Sequence, residues 1–163
     1  MRRLLLVCFA LTGAAIAQIP LPAFTNSYTY NGHTRGFSFT APSSFIITQL
    51  NVPNEASYPE QNVQVGLFAG APACGLQTIT DLGTFTAQPT TGPIATAILV
   101  NQGDEIIIHG ACGDAVQPGG WANSYGAGPF QTSILGNSVT LSRAGSQTNI
   151  NVTGGTGQCF GGC

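Results

Sequence analysis

The segment that most constrains the fold is residues 94–113, IATAILV-NQGD-EIIIHGACG. Two runs rich in β-branched residues flank four polar residues that include a glycine, which is typical of two antiparallel strands joined around a type I turn. Ile106, Ile107 and Ile108 are consecutive, so both faces of the second strand carry apolar bulk. Such a strand belongs inside a sandwich or barrel rather than on a solvated edge. We therefore predict a hairpin here, at the centre of a β-sandwich.

Short strands separated by turn signals occupy most of the remaining chain. Asn31-Gly32 predicts one further hairpin and Gly136-Asn137 another, because these pairs suit the primed turns that join two strands. We count roughly nine or ten strands at the spacing typical of sandwiches. The predicted fold is all-β, a two-sheet antiparallel β-sandwich that is jelly-roll-like and braced by disulfides. An immunoglobulin-like strand order is the alternative.

Alternation along individual strands predicts which side chains are buried. Residues 45–52 predict a strand with Ile46, Leu50 and Val52 on one face. Residues 63–68 alternate in the way expected of a half-buried strand. The weaker strand predictions are two segments within residues 76–87 and a last short strand at residues 148–152.

The amino terminus predicts export. Arg2 and Arg3 precede an apolar run that ends in the small-x-small triplet at residues 15–17, the pattern of a secretory signal peptide. We therefore expect a secreted protein, located outside the cell or on its surface. The predicted organisation is a signal peptide (residues 1–17), an extended N-terminal arm with the first strand (18–33), the sandwich domain (34–153) and a Gly- and Cys-rich C-terminal tail (154–163).

Charge is scarce and excludes two classes of partner. The chain holds four Lys and Arg and six Asp and Glu, and no lysine. Removal of Arg2 and Arg3 with the signal peptide leaves Arg35 and Arg143 against the six acids. Nucleic acid and anionic membrane surfaces are therefore not expected as partners, since phosphates and anionic lipids require a basic surface. Membrane insertion is not expected either, because the sequence after residue 17 holds no apolar run of membrane length. Edge strands are commonly protected by lysine, so its absence indicates either compositional habit or edges that pair with other copies.

The N-terminal arm is extended and apolar. Pro20 and Pro22 prevent a helix, while Ile19, Leu21 and Phe24 are unusually apolar for a free terminus. Most segments of this kind lie against their own domain, but some fibre subunits lend such an arm to a neighbour as an added strand. The arm is therefore a second candidate for self-association.

Four cysteines remain after removal of Cys8 with the signal peptide. An even number in an exported chain predicts two disulfides. Cys74 and Cys112 each follow a strand and enter a glycine-containing loop, so we pair them. Cys159 and Cys163 would then close a small ring. Zinc is the competing interpretation, but no Cys-x-x-Cys pair or partner histidine stands at ligand spacing.

The ionisable residues do not form a recognisable catalytic set, so we predict a protein that is not an enzyme. Asp104 and Glu105 are adjacent and would point to opposite faces of a strand, with Asp104 capping its turn. His33 and His109 are interpreted as solvated or hydrogen-bonded histidines, and no Gly-x-Ser-x-Gly motif is present. No cofactor is expected; Ca²⁺ is the metal that loops holding Asp104 and Asp114 would best suit, although the spacing of a calcium loop is missing.

The best candidate for ligand binding is the aromatic, glycine-rich loop of residues 119–130. Trp121, Asn123 and Tyr125 would stack on and hydrogen-bond a sugar. The alternative, which we favour, is that Trp121 fills one end of the core. A separate sequon places a glycosylation acceptor at Asn151.

Two segments resemble a group of exported single-domain β-sandwich proteins of environmental bacteria. They are TRGFSFTAP at residues 34–42 and NSYGAGPF at residues 123–130, which continues into SVTLSRAGSQ. The resemblance extends over about residues 34–147. It implies export and a sandwich, and because the group has no assigned activity it implies no functional residue.

These observations predict a secreted, non-catalytic extracellular structural or interaction protein, such as a self-assembling subunit of a surface layer or fibre. The expected partners are further copies of the chain, through edge strands or the N-terminal arm. The alternative is a carbohydrate-binding module that uses the aromatic loop.

Overall fold

The computed structural model describes residues 18–23, 26–29, 33–54, 57–113, 122–125, 128–147, 150 and 156–159. These residues form eleven strands, which confirms the all-β class. The strands are β1 (Asn26–Thr29), β2 (Thr34–Thr40), β3 (Phe45–Leu50), β4 (Glu60–Phe68), β5 (Gln77–Pro89), β6 (Ile94–Val100), β7 (Glu105–Gly113), β8 (Ala122–Tyr125), β9 (Phe130–Ile134), β10 (Asn137–Ser146) and β11 (Thr156–Cys159).

The strands form two antiparallel sheets. The large sheet has the order β1-β8-β7-β2-β10-β11-β5-β4, with β9 paired to β10 beside this path. The small sheet consists of β3 and β6. Two antiparallel sheets are consistent with the predicted sandwich, and the jelly-roll connectivity stays a prediction.

Part of the large sheet closes on itself. Strand β7 pairs with β2 over residues 105–110 and with β4 over residues 106–113. Since β4 is also the far end of the path that runs through β2, β10, β11 and β5, these six strands form a closed ring. Closure gives each of the six strands an inward face and an outward face.

The two faces build two separate apolar cores. Outward-facing side chains of the ring pack against the small sheet, and inward-facing side chains meet one another. The outer core contains Phe39, Val63, Val65, Ile106 and Leu141 with Ile47, Leu50, Ile94 and Ile98 of the small sheet. The inner core contains Phe68, Ile79, Ile107, Ala144 and Cys159. The prediction that β7 buries both faces is confirmed, because successive residues of a strand point to opposite sides.

The predicted hairpin between β6 and β7 is wrong, although both strands exist. β6 pairs with β3, and β7 pairs with β2 and β4. Residues 101–104 therefore carry the chain from the small sheet to the ring instead of reversing it within one sheet. The carboxylate of Asp104 accepts hydrogen bonds from the backbone N–H (2.8 Å) and the side-chain amide (3.4 Å) of Asn101. The predicted capping role of Asp104 is thus confirmed, but the cap belongs to a crossover.

The other two predicted hairpins also differ from the structure. Strands β1 and β2, on either side of Asn31-Gly32, do not pair with each other; β1 pairs with β8. Strands β9 and β10 do form a hairpin, but Ile134 pairs with Asn137, so the turn consists of Leu135 and Gly136. The turn was predicted one residue too late because Gly-Asn resembles a primed turn more closely than Leu-Gly.

Two predicted burial patterns are wrong for different reasons. In β3 the buried residues are Ile47 and Leu50, and Ile46 is exposed. A register shift between Ile47 and Gln49 interrupts the alternation there. Strand β4 is buried on both faces rather than one, since its residues 64, 66 and 68 point into the ring.

The carboxyl-terminal half of the strand assignment changes as well. The two weak segments predicted within residues 76–87 are one 13-residue strand, β5. The predicted tail contributes β11, which joins β10 to β5 through two residue pairs on each side. Most of the strand predicted at residues 148–152, together with Asn151 and the predicted signal peptide, lies outside the described residues.

Neither predicted disulfide pair is present. Cys112 and Cys159 are buried free thiols, so Cys74 is not bonded to Cys112, nor Cys159 to Cys163. Each free thiol contacts oxygen instead: Cys159 Sγ lies 3.2 Å from Ser38 Oγ, and Cys112 Sγ lies 3.7 Å from the carbonyl oxygen of Val52. Cys74 is disulfide-bonded. The sequence pattern misassigned the pairs because Cys112 and Cys159 lie within strands and not in the loops that follow.

We expect Cys163 to be the partner of Cys74. The backbone N–H of Cys159 donates to the carbonyl oxygen of Ala73 at 3.2 Å, which brings the end of β11 beside Cys74. Cys163 follows four residues later, and Cys8 is predicted to leave with the signal peptide. Peptide mapping of the chain lacking residues 1–17 under non-reducing conditions should recover one peptide that joins positions 74 and 163. Recovery of position 163 as a free thiol would contradict this pairing.

Candidate functional site

The predicted sugar-binding residues are only partly described. Trp121 lies outside the described residues, and Asn123 and Tyr125 lie in β8. In that strand Asn123 is opposite Tyr28, and Tyr125 is opposite Asn26, both in β1. The β1–β8 pair extends the large sheet beyond β7, to which β8 is joined at Cys112 and Ala122. The carbohydrate site stays a prediction.

A buried polar cluster crosses the interior of the ring. His109 of β7 is 2% exposed, and its Nδ1 lies 2.8 Å from Thr34 Oγ1 of β2. Its Nε2 lies 3.0 Å from Gln64 Oε1 of β4. An amide oxygen only accepts, so Nε2 carries the hydrogen and Nδ1 accepts the Thr34 hydroxyl hydrogen. The cluster thereby links the three adjacent strands β2, β7 and β4.

The same cluster reaches the surface through β5. Gln64 Nε2 donates to Thr84 Oγ1 at 3.0 Å and to Asp81 Oδ1 at 3.4 Å. The Thr84 hydroxyl in turn donates to Asp81 Oδ1 at 2.9 Å. Every polar atom of the Gln64 and His109 side chains therefore has a partner, as a buried polar group requires.

Burial keeps His109 neutral. Desolvation and, to a smaller extent, the positive charge of Arg35 together lower the pKa of His109 to about 4. Both ring nitrogens of His109 are occupied by hydrogen-bond partners on neighbouring strands, so this side chain holds β2, β7 and β4 together.

The remaining ionisable candidates are also engaged in local hydrogen bonds. Glu105 Oε1 accepts the Thr40 hydroxyl at 2.7 Å, and Asp104 caps Asn101. His33 Nδ1 lies 3.4 Å from an Arg35 guanidinium nitrogen, and burial and that charge lower the pKa of His33. In the part of the chain that the structure describes, no three His, Cys, Asp or Glu residues are placed to hold a metal ion. Asp114 lies outside that part.

The most distinctive exposed surface is the outer face of the small sheet. Ile46 of β3 and Leu99 of β6 are directly opposite each other and are 57% and 59% exposed. Ala95 and Ala97 of β6 are exposed beside them. Their neighbours Ile47, Ile98 and Val100 are buried in the outer core, so the inner face holds the sheet in place. Thr48 and Gln49 of β3 are exposed as well, and Gln49 is opposite Ala95. We call the apolar members of this surface, Ile46, Ala95, Ala97 and Leu99, the apolar face.

Neither edge of the small sheet is paired with a further strand among the described residues. Among the described strands, β3 pairs only with β6, and β6 pairs only with β3. Neither FIITQL nor IATAILV contains a charged residue or a proline. Native proteins normally protect an edge with charge, proline, a bulge or a covering segment, and the only such device within these strands is the irregularity near Ile47.

Sequence reasoning did not find the apolar face. It placed Ile46 in the core and treated β6 as an internal strand of a hairpin. The lack of charge in both strands was a usable signal, but alternation alone does not say which isoleucine or leucine of an apolar run is exposed.

The N-terminal arm is attached to its own domain. Ile19 packs against the outer core, and the carbonyl oxygen of Pro20 accepts the Thr132 hydroxyl at 2.9 Å. Pro22 is buried, whereas Leu21 is 45% exposed. The edges and apolar face of the small sheet are therefore better placed for contact with a neighbour than the arm is.

Within the described residues, no helix is long and apolar enough to cross a membrane. Comparisons of the chain with protein-family models, with curated proteins and with solved structures found no match.

Proposed function

We propose that this protein is a secreted, non-catalytic structural or interaction protein that associates with further copies of itself through the small β3–β6 sheet. The observation that carries the proposal is the cross-strand pair Ile46 and Leu99, more than half exposed on an uncharged two-stranded sheet that pairs with no further strand among the described residues. Such a subunit would serve in a surface layer or fibre outside the cell.

The backbone groups at the edges of the small sheet and the side chains of its apolar face would both gain partners when two copies associate. An open edge presents unpaired backbone N–H and C=O groups, which a strand of another copy satisfies by extending the ladder. The apolar face gains free energy when it leaves water. Because neither strand is charged, association of identical copies desolvates no unpaired charge.

The non-catalytic part of the proposal is supported by the polar groups that the structure describes. His109 is enclosed, and the Asp104 and Glu105 carboxylates accept hydrogen bonds from the Asn101 backbone and the Thr40 hydroxyl. The cluster around His109 contributes rigidity to the ring, and a rigid ring is a suitable support for a sheet that must present a fixed outer face.

Replacement of Ile46 and Leu99 by lysine should abolish the association. Both side chains are largely exposed, so the double variant Ile46→Lys/Leu99→Lys should fold with a free energy of unfolding within about 0.5 kcal/mol of the parent per site. Sedimentation velocity of the chain lacking residues 1–17 should show concentration-dependent association for the parent and none through this sheet for the variant. The parent association should be nearly independent of salt, since the surface is uncharged.

Leu76→Lys is the matched control, because Leu76 is 59% exposed but precedes β5 and lies outside the small sheet. It should associate like the parent. A parent chain that remains strictly monomeric at high concentration would refute the proposal.

The carbohydrate-binding alternative is supported by the position of Asn123 and Tyr125, two residues apart in β8, which lies between β7 and the terminal strand β1 of the large sheet. Glycan-array binding by the parent that is lost in Trp121→Ala would favour this function. Binding that survives the substitution would exclude the predicted residue as its centre.

A further inference from the structure

The side-chain amide of Gln64 and the hydroxyl of Thr84 meet between neighbouring strands. Gln64 of β4 is directly opposite Thr84 of β5, and its Nε2 donates to Thr84 Oγ1 at 3.0 Å. Gln64 is only 1% exposed, so water is largely excluded from its amide. Because Nε2 is bonded to the amide carbonyl carbon, the hydroxyl oxygen adjoins an acyl group that a nucleophile can attack.

The carboxylate of Asp81 contacts both of these groups. Its Oδ1 accepts the Thr84 hydroxyl at 2.9 Å and Gln64 Nε2 at 3.4 Å. The backbone N–H of Gly83 donates to the same oxygen at 3.1 Å and holds it in place. A carboxylate in this position can take a proton from the hydroxyl and deliver it to the amide nitrogen.

An irregularity in the backbone brings Asp81 to this position. Residues three apart in a regular strand point to opposite faces, so Asp81 and Thr84 would be separated by β5. The register between β4 and β5 shifts between Val65 and Gly66, which leaves Leu82 as the extra residue of a β-bulge. The bulge places Asp81 and Thr84 on the same face, and bulges commonly re-aim side chains in this way at functional sites.

A hydrogen-bond donor is fixed at the other end of the amide. The Nε2–H of His109 donates to Gln64 Oε1 at 3.0 Å, and the Thr34 hydroxyl at Nδ1 keeps the hydrogen on Nε2. Negative charge develops on an amide oxygen when a nucleophile attacks its carbon, and a donor already in place stabilises that charge. The amide thus has a nucleophile, a base and an oxyanion donor within hydrogen-bond reach.

We propose that Thr84 and Gln64 become joined by an intramolecular ester. Thr84 Oγ1 forms a bond to Gln64 Cδ while Asp81 accepts the hydroxyl proton. The Cδ–Nε2 bond then breaks, the proton passes to the departing nitrogen, and one molecule of ammonia leaves. The reaction requires no oxidant, reductant or further reactant. It occurs once in each chain and uses no external substrate, so it is compatible with a structural protein.

The ester would secure a strand of the ring that is weakly held on one side. Among the described residues, β11 accompanies β5 only at residues 77 and 78, whereas β4 pairs with β5 along its length. A covalent bond to β4 would keep β5 in the ring. Thr84 and Asp81 are exposed, which gives ammonia a way out, while the burial of Gln64 shields the ester carbonyl from hydrolysis. This proposal does not depend on association through the small sheet.

Mass spectrometry of the chain lacking residues 1–17 tests the proposal. The chain is purified in urea, where the two side chains are apart, and then refolded. Chymotrypsin cleaves after Phe68, between the two positions, so the refolded chain should yield one branched peptide that contains residues 64 and 84. Its mass should be lower than the sum of its two parts by one ammonia. Locating the loss in this peptide distinguishes it from cyclisation of Gln18 at the new amino terminus, and mild alkali should separate the two parts again.

Three variants assign the roles. Thr84→Val should form no branched peptide, and Asp81→Asn should form it about 100-fold more slowly, as expected for loss of a general base. Thr80→Val is the matched control, because Thr80 is an exposed threonine of the same strand, and it should link like the parent. Circular dichroism would verify that each variant is folded. A folded parent without the link, a link in Thr84→Val or an unchanged rate in Asp81→Asn would each overturn the proposal.

Discussion

Lowering the pH from 6.5 to 4 is expected to reduce the free energy of unfolding by about 3 kcal/mol through His109 alone. The unfolded chain binds a proton at this residue below its ordinary pKa of 6.5, whereas the folded chain does so only below about 4. Between these values the unfolded state holds the extra proton, so stability falls by about 1.4 kcal/mol for each pH unit. Above pH 6.5 His109 is neutral in both the folded and the unfolded chain, so the full free energy of unfolding is retained there.

Urea denaturation at a series of pH values would measure this slope. The variant His109→Gln removes the titrating group, so its stability at neutral pH should be lower and its dependence on pH in this window flatter than that of the parent. His33→Gln is the matched control: His33 is half-buried and its pKa is also lowered, but His109 is enclosed, so His33 should account for less of the slope than His109. A parent stability that is constant between pH 6.5 and 4 would contradict the enclosed, neutral His109.

Substitution of Gly36 by alanine should prevent the ring from closing. A Cβ atom at Gly36 would overlap the carbonyl oxygen of Ile108 and lie 2.7 Å from the Cα atom of His109. Both contacts are to the backbone of β7, the strand paired with β2, so neither can be relieved by a side-chain rotation. We expect a loss of about 4 kcal/mol or more, at the upper end of single-substitution effects and close to the whole stability of many small domains.

Gly70→Ala is the matched control, since a Cβ atom there would meet nothing within 4 Å. Its free energy of unfolding should stay within about 0.5 kcal/mol of the parent value. Circular dichroism and urea denaturation of both variants would make the comparison. Equal stabilities for the two variants would show that β2 and β7 do not approach as closely as the ring requires.

Local pattern was sufficient to predict most strands, but it did not predict their partners. Strands β6 and β7 lie within one residue of the segments read from β-branched runs, and β7 buries both faces as expected. The loop between them has the composition of a hairpin turn, yet it joins two sheets. Loop composition reports how sharply the chain turns, whereas pairing depends on which apolar faces must meet, and several connections satisfy that condition equally well.

The exposure of Ile46 and Leu135 could not be predicted from the sequence for a related reason. The exposure of Ile46 follows from an irregularity in the β3–β6 register, and that of Leu135 from a turn shifted by one residue. A shift of one position moves a side chain from the core to solvent, so small errors in register reverse a functional assignment. The thiols of Cys112 and Cys159 were likewise placed in loops when they belong to strands.

The chain's own composition and alternation determined its all-β class, the scarcity of charge on its strands and the need to bury both faces of β7, because these depend only on which side chains follow one another. Tertiary structure alone decided that six strands close into a ring, that His109 is enclosed between Thr34 and Gln64, and that Ile46 and Leu99 face outward. These features depend on contacts between residues far apart in the chain. Such contacts form only in the folded polypeptide, so neighbouring residues in the sequence do not determine them.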